Sequence, residues 1–107
     1  MMDDATWRGY VNKHNRPPAF DGSDGNPYSV QVYVDEAPLE DNRFGAAILF
    51  VRWSVEGGGV VGHLETEYLG YGSTPDEAGA SLMHLTLYDL KDHLERLIHA
   101  RKEVPGW

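Results

Sequence analysis

His63, Glu65 and Glu67 stand at alternate positions of one stretch of this sequence. In an extended strand, alternate residues project from one face. An imidazole beside two carboxylates is a donor set for a divalent cation, or a pair of partners for acid–base work. The same spacing also describes the solvated face of a strand in an acidic protein, with Arg52 as a cross-strand partner, and that plainer reading is favoured. His84, His93 and His99 lie nine and six residues apart. At about 100° per residue on a helix they point in different directions and cannot meet at one ion. Asp21-Gly22-Ser23-Asp24-Gly25-Asn26 has the composition of a calcium loop but lacks its alternating oxygen ligands and closing glutamate, so it reads as Asx turns. The glycines at 57, 58 and 59 join two strands instead of opening a helix, which excludes a phosphate cradle. Ser73 and Thr74 suit helix caps better than nucleophiles. There is no cysteine, hence no disulfide, thiolate metal site or cysteine catalysis. No residue is assigned as catalytic, and neither a cofactor nor a metal is expected. A non-enzymatic role is favoured, and the alternative is a small metal-dependent or acid–base enzyme built on His63, Glu65 and Glu67.

The elements that must hold these residues begin with the firmest boundary, Gly72 to Ala78. Thr74 suits an N-cap, Pro75 the first helical position, and Glu77 the third residue of a capping box. Met83, Leu87, Leu90, Leu94 and Leu97 then recur at spacings of four and three, one apolar stripe of a helix over 74–102. Thr86 and Asp89 offer a second cap. One helix kinked near Thr86, or two helices broken there, both satisfy the pattern, and the stripe favours continuity. Pro105-Gly106 ends it.

Upstream, Tyr28 to Val34 alternates as a half-buried strand. Phe44 to Glu56 is a second strand, apolar on both faces between Ala46 and Val51, and Val60 to Leu69 is a third. Matching Leu49, Val51 and Trp53 with Val60, Leu64 and Tyr68 requires paired numbers with an odd sum. A two-residue turn at Gly57-Gly58 or Gly58-Gly59 does this, and the second is preferred because it sets Arg52 opposite Glu65 and Trp53 opposite Leu64. The expected core is then Val32, Val51, Trp53, Leu64, Leu90 and Leu94. Residues 1–27 are rich in turn formers and read as an irregular segment, with a short edge strand around Trp7 to Val11 as an option. Together these give one α+β domain: a three- or four-stranded antiparallel sheet over 28–72, with a long C-terminal helix packed on one face.

That parity leaves Tyr33, Ile48, Phe50 and Arg52 on the face away from the helix. Large apolar groups there must be covered, by the N-terminal Trp7, Tyr10 and Phe20, by a second copy, or by another protein. These four residues are the candidate partner-binding surface. The formal net charge is −8, from 17 acidic and 9 basic residues. Such a field repels a phosphate backbone. Arg96, His99, Arg101 and Lys102 complement a helix C-terminus and do not form a nucleic-acid patch. No apolar run approaches the ~20 residues that span a bilayer, and Met1-Met2-Asp3-Asp4 is acidic, without the basic-then-apolar pattern expected of a signal peptide. The expectation is a cytoplasmic protein acting through a protein partner or self-association, without nucleic acid or membrane.

The strand–strand–strand–helix order, with the helix entry at Gly72-Ser73-Thr74-Pro75-Asp76-Glu77-Ala78 after Tyr68-Leu69-Gly70, resembles the small HicB-type antitoxin domain. The resemblance spans residues 28–100 in pattern and this one turn in motif. It implies a fold partly like that of double-stranded-RNA-binding domains and a basic toxin as partner.

Overall fold

Thr6 sets the first element. Its backbone is extended, and its hydroxyl accepts the Gly9 N–H at 3.0 Å, capping α1 (Trp7–His14). Asn15 closes the helix in the left-handed region at φ 54°, a conformation that asparagine tolerates. This computed structural model describes residues 5–102. The N-terminal segment is thus not irregular, and no strand forms around Trp7. It holds α1 and then β1 (Ala19–Asp21). Tertiary bonds hold α1 in place. The Trp7 and Arg8 N–H groups, orphan donors of a helix N-terminus, donate to the carbonyls of Leu85 (2.7 Å) and Met83 (3.1 Å).

The sheet is antiparallel. β2 (Pro27–Val34) lies between β1 and β3 (Phe44–Trp53). The far edge of β3 is shared by β4 (Val60–Glu65) and β5 (Gly70–Gly72). Between them Thr66 completes the ladder with a side chain. Its N–H donates to the Ile48 carbonyl at 3.1 Å. Its hydroxyl accepts the Ile48 N–H at 3.0 Å and donates to the Glu67 carbonyl at 2.7 Å.

The face assignment of β3 is the reverse of the sequence expectation. Val30 pairs with Phe50 and Val32 with Ile48, while Phe50 pairs with Leu64. Ala46, Ile48, Phe50 and Leu64 enter one core with Trp7, Tyr28, Val30, Leu82, Leu90, Leu94 and Ile98. Leu49, Val51 and Trp53 therefore point away from the helices, and Val51 and Trp53 are not core residues. The register with β2 sets this face, and a bulge brings β4 into line with it. Arg52 pairs with Gly62 but Trp53 pairs with Val60, leaving Val61 as an extra residue. The odd sum holds at Trp53–Val60 and turns even beyond it, because one inserted residue reverses the parity of a strand. Trp53 does not face Leu64, nor Arg52 Glu65. Val32, Leu64, Leu90 and Leu94 do lie on the helix side.

The helical stretch is divided into α2 (Pro75–Ala80) and α3 (Leu87–Lys102). Thr74 Oγ1 accepts the Glu77 N–H at 3.1 Å, and Glu77 returns a carboxylate to the Ser73 N–H at 3.0 Å. Continuity fails at the second cap. The Thr86 hydroxyl accepts from the Asp89 N–H and the Asp89 carboxylate from the Thr86 N–H, both at 3.0 Å. Those bonds start a new helix. The stripe survives the break because Met83 and Leu85 in the turn pack on the same core. Pro105-Gly106 lies outside the described residues. The architecture is α+β, with α1, α2 and α3 on one face of the sheet and the other face open.

Candidate functional site

The open face is built from the odd-numbered positions of β2 and β3. Ser29, Gln31 and Tyr33 stand beside Val51, Leu49 and Ala47. His63 and Glu65 of β4 continue the row opposite Val51 and Leu49, and Tyr71 of β5 lies opposite Gly45. Several large side chains here are in contact with water: Tyr33 at 40%, Trp53 at 38%, Tyr71 at 41% and Val60 at 59% exposure. One-sided sheets ordinarily carry polar residues on this face.

These rings are held in place. Trp53 Nε1 donates to Ser29 Oγ at 3.0 Å, which lays the indole across β2. Tyr68, from the loop between β4 and β5, rests on Gly45, where a Cβ would come within 2.6 Å of the ring. Only glycine allows that approach. The Tyr68 hydroxyl donates to Asp35 Oδ2 at 2.5 Å. That bond pushes the phenol up to about 12 and draws the Asp35 carboxyl below its ordinary value. Tyr71 meets Tyr68 edge to face at 6.4 Å, and the Arg43 guanidinium sits 4.6 Å over the Tyr71 ring. Arg43 also pairs with Asp41 at 2.6 Å. The surface is aliphatic at its centre and aromatic at its two ends, and it carries the carboxylates of Asp35 and Glu65.

Of the four residues proposed from sequence for this surface, only Tyr33 is on it. Ile48 and Phe50 are fully buried against the helices. Arg52 lies on the helix side at the end of the sheet. Its guanidinium bonds Asp24 Oδ2 at 3.2 Å, the Tyr28 hydroxyl at 3.1 Å and Asn26 Oδ1 at 2.9 Å. The Asp21–Asn26 loop therefore serves as a clamp. Burial alone would raise the Asp24 carboxyl, but the bonds from Tyr28, Asn26 and Arg52 outweigh it and hold it below its usual value. Burial, with the neighbouring Asp24 carboxylate, pushes the Tyr28 phenol well up. The loop is also tied to α3, through the Ser23 N–H to Glu95 at 3.0 Å and Lys91 to the Asp21 carbonyl at 3.0 Å.

His63 and Glu65 line a hollow of about 260 Å³ with Leu64, Leu97, Ala100 and Arg101. Glu67 lies past the end of β4 and borders a separate hollow of about 170 Å³ with His93 and Arg96. Among the described residues, no group of three metal-ligating side chains comes together. His84 is engaged locally, its Nδ1 2.8 Å from the Ser81 carbonyl. Sequence reasoning missed Tyr68, Tyr71 and Asp35. The signal for Tyr68 was Gly45, a glycine inside an otherwise apolar strand. No helix among the described residues is long and apolar enough to cross a membrane. No protein family, curated protein or solved structure matches this chain.

Proposed function

We propose that this chain is a non-catalytic binding domain whose open sheet face receives a basic protein partner. The observation that supports it is the exposure of Tyr33 and Tyr71 at one end of the face that the helices leave uncovered and of Trp53 and Val60 at the other, with Leu49 and Val51 between them. Large apolar groups gathered on one exposed face of a small domain mark a contact site, and aromatic residues are enriched at such sites. The partner's charge follows from the excess of 17 acidic over 9 basic residues and from Asp35 and Glu65 on the face itself. The same field disfavours nucleic acid. A toxin-binding role of the HicB type, with a basic toxin, is the family form of this reading. A chain free of cysteine suits the reducing cytoplasm.

A titration followed by amide chemical shifts tests the proposal, with a peptide of alternating lysine and leucine as probe. Shifts should cluster at Tyr33, Leu49, Val51, Trp53 and Tyr71, and should vanish in a Val60→Glu, Tyr71→Glu double variant that keeps its fold. Shifts confined to the helix side would refute the assignment. The alternative, a metal-dependent or acid–base enzyme, has the adjacency of His63 and Glu65 in its favour. Zinc-induced shifts at those two residues would support it.

A further inference from the structure

Part of the β2 edge has no neighbouring strand among the described residues. The Val30 N–H donates to the Pro18 carbonyl at 3.0 Å, and the Asp35 N–H to the Gly45 carbonyl at 3.1 Å. Successive residues of an antiparallel strand turn their peptide groups alternately to the two sides. The even residues of β2 thus face β1, and the odd ones face β3. But β1 pairs only with Pro27, Tyr28 and Ser29, and the Pro18 bond to Val30 is its last. Beyond it the chain turns off through Pro17 and Arg16 into α1. The N–H and C=O groups of Val32 and Val34 therefore point outward, with no partner among the described residues.

A groove of about 330 Å³ runs beside this edge, walled by Trp7, Val11, Pro17, Val30, Val32 and Met83. Unpaired strand edges are templates for another strand. The occupant is thus an extended backbone with an apolar side chain on the helix side. The charges select which backbone. Arg16 lines the groove at one end of the free edge, and at the other end β2 runs into Asp35, whose carboxylate Tyr68 holds on the open face, and then into Glu36. Turned about a two-fold axis, a second copy sets its acidic end on the cationic end of the first, twice over. Val32 and Val34 of one then meet Val34 and Val32 of the other, and a valine from each enters the other's groove. We propose that two copies of this chain pair antiparallel along the Val32–Val34 edge into a dimer with one continuous sheet. Such an interface is isologous and closes on itself. It uses the edge of the sheet, independently of the open face.

Sedimentation equilibrium at high micromolar concentration should give twice the 12.0 kDa of one chain. Val34→Pro removes an outward N–H and no bond within the chain, so it should yield a folded monomer. If that variant fails to fold, charge reversal serves instead. Arg16→Glu alone and Glu36→Arg alone should each weaken the dimer at least tenfold, and the two together should restore it. Three results would overturn the proposal. One is a wild-type monomer, which leaves the edge to a strand from another protein. Another is a dimer indifferent to Val34→Pro or to the reversals. The last is a dimer that survives Val34→Pro and is lost on Val60→Glu, which would move the contact to the open face.

Discussion

Replacing Thr66 by valine keeps the shape of the side chain and removes one hydroxyl. That hydroxyl is the acceptor for the Ile48 N–H, in the middle of β3 where the ladder passes from β4 to β5. Ile48 is fully buried and Thr66 nearly so. Water cannot take the hydroxyl's place without entering the core. The substitution leaves one buried N–H without a partner, which costs about 1–3 kcal/mol. The valine adds little apolar gain, since its extra methyl replaces a group already in contact. On a domain of this size, about 2 kcal/mol lowers the melting temperature by roughly 10 °C. Urea denaturation should show a lower midpoint at unchanged slope, because the surface exposed on unfolding is the same. Thr66→Ser keeps the acceptor and should recover most of the loss. Native-state exchange of the Ile48 amide should accelerate in the valine variant alone. An unchanged midpoint in Thr66→Val would refute the claim that a side chain completes this ladder.

The other predictions concern the two faces and the clamp. Phe50→Glu should abolish the folded far-ultraviolet spectrum, since it drives a carboxylate into the core, whereas Tyr33→Glu should leave it unchanged; a folded Phe50→Glu variant would restore the parity expected from sequence. Gly45→Ala should cost about 1–3 kcal/mol by pushing Tyr68 off the sheet, and spectrophotometric titration should show the Tyr68 phenol falling from about 12 toward the ordinary 10.0. The folded-state value of that phenol is raised, so its contribution to stability is complete below pH 10.0 and is lost as pH climbs toward about 12. Asp24 has the opposite sign: its carboxyl is lowered in the fold, so its contribution holds above the ordinary 3.8 and disappears as pH falls below it. Arg52→Met should weaken that acid dependence in denaturation midpoints measured from neutral pH downward.

Several elements were legible because their signals are local. Thr74, Pro75 and Glu77 announce a helix start without reference to anything distant, and β2 alternates cleanly from Tyr28 to Val34. The orientation of β3 was not legible. Ala46 to Val51 is apolar on both faces, so periodicity cannot choose the inner one. The choice is made by the pairing with β2, which sets Ile48 and Phe50 beside Val32 and Val30, and the Val61 bulge lets Leu64 of β4 join the same face. This inversion sent Ile48 and Phe50 to the candidate surface and Trp53 to the core. The N-terminal helix was hidden because Gly9 and Asn12 are weak helix formers. Its stability comes from Met83 and Leu85, far along the chain. The division near Thr86 was visible as a cap, yet a stripe from Met83 to Leu97 looks continuous whenever the intervening turn buries its residues on the same core. Tyr33 was found because it projects from a strand whose register the alternation settles.

The bonds from Trp7 and Arg8 to Leu85 and Met83 join opposite ends of the sequence. During synthesis, α1 emerges well before its docking site. Until residues 83–86 leave the ribosome, its N-terminal amides have no acceptor, and Trp7 and Val11 have no core to enter. A segment this short is unstable alone, and closing so long a loop is slow. The sheet can assemble earlier, with the apolar side of β2 bare where α1 will lie. This helix is thus made early and settles late, and that interval is when the nascent domain is most open to chaperones and to wrong partners.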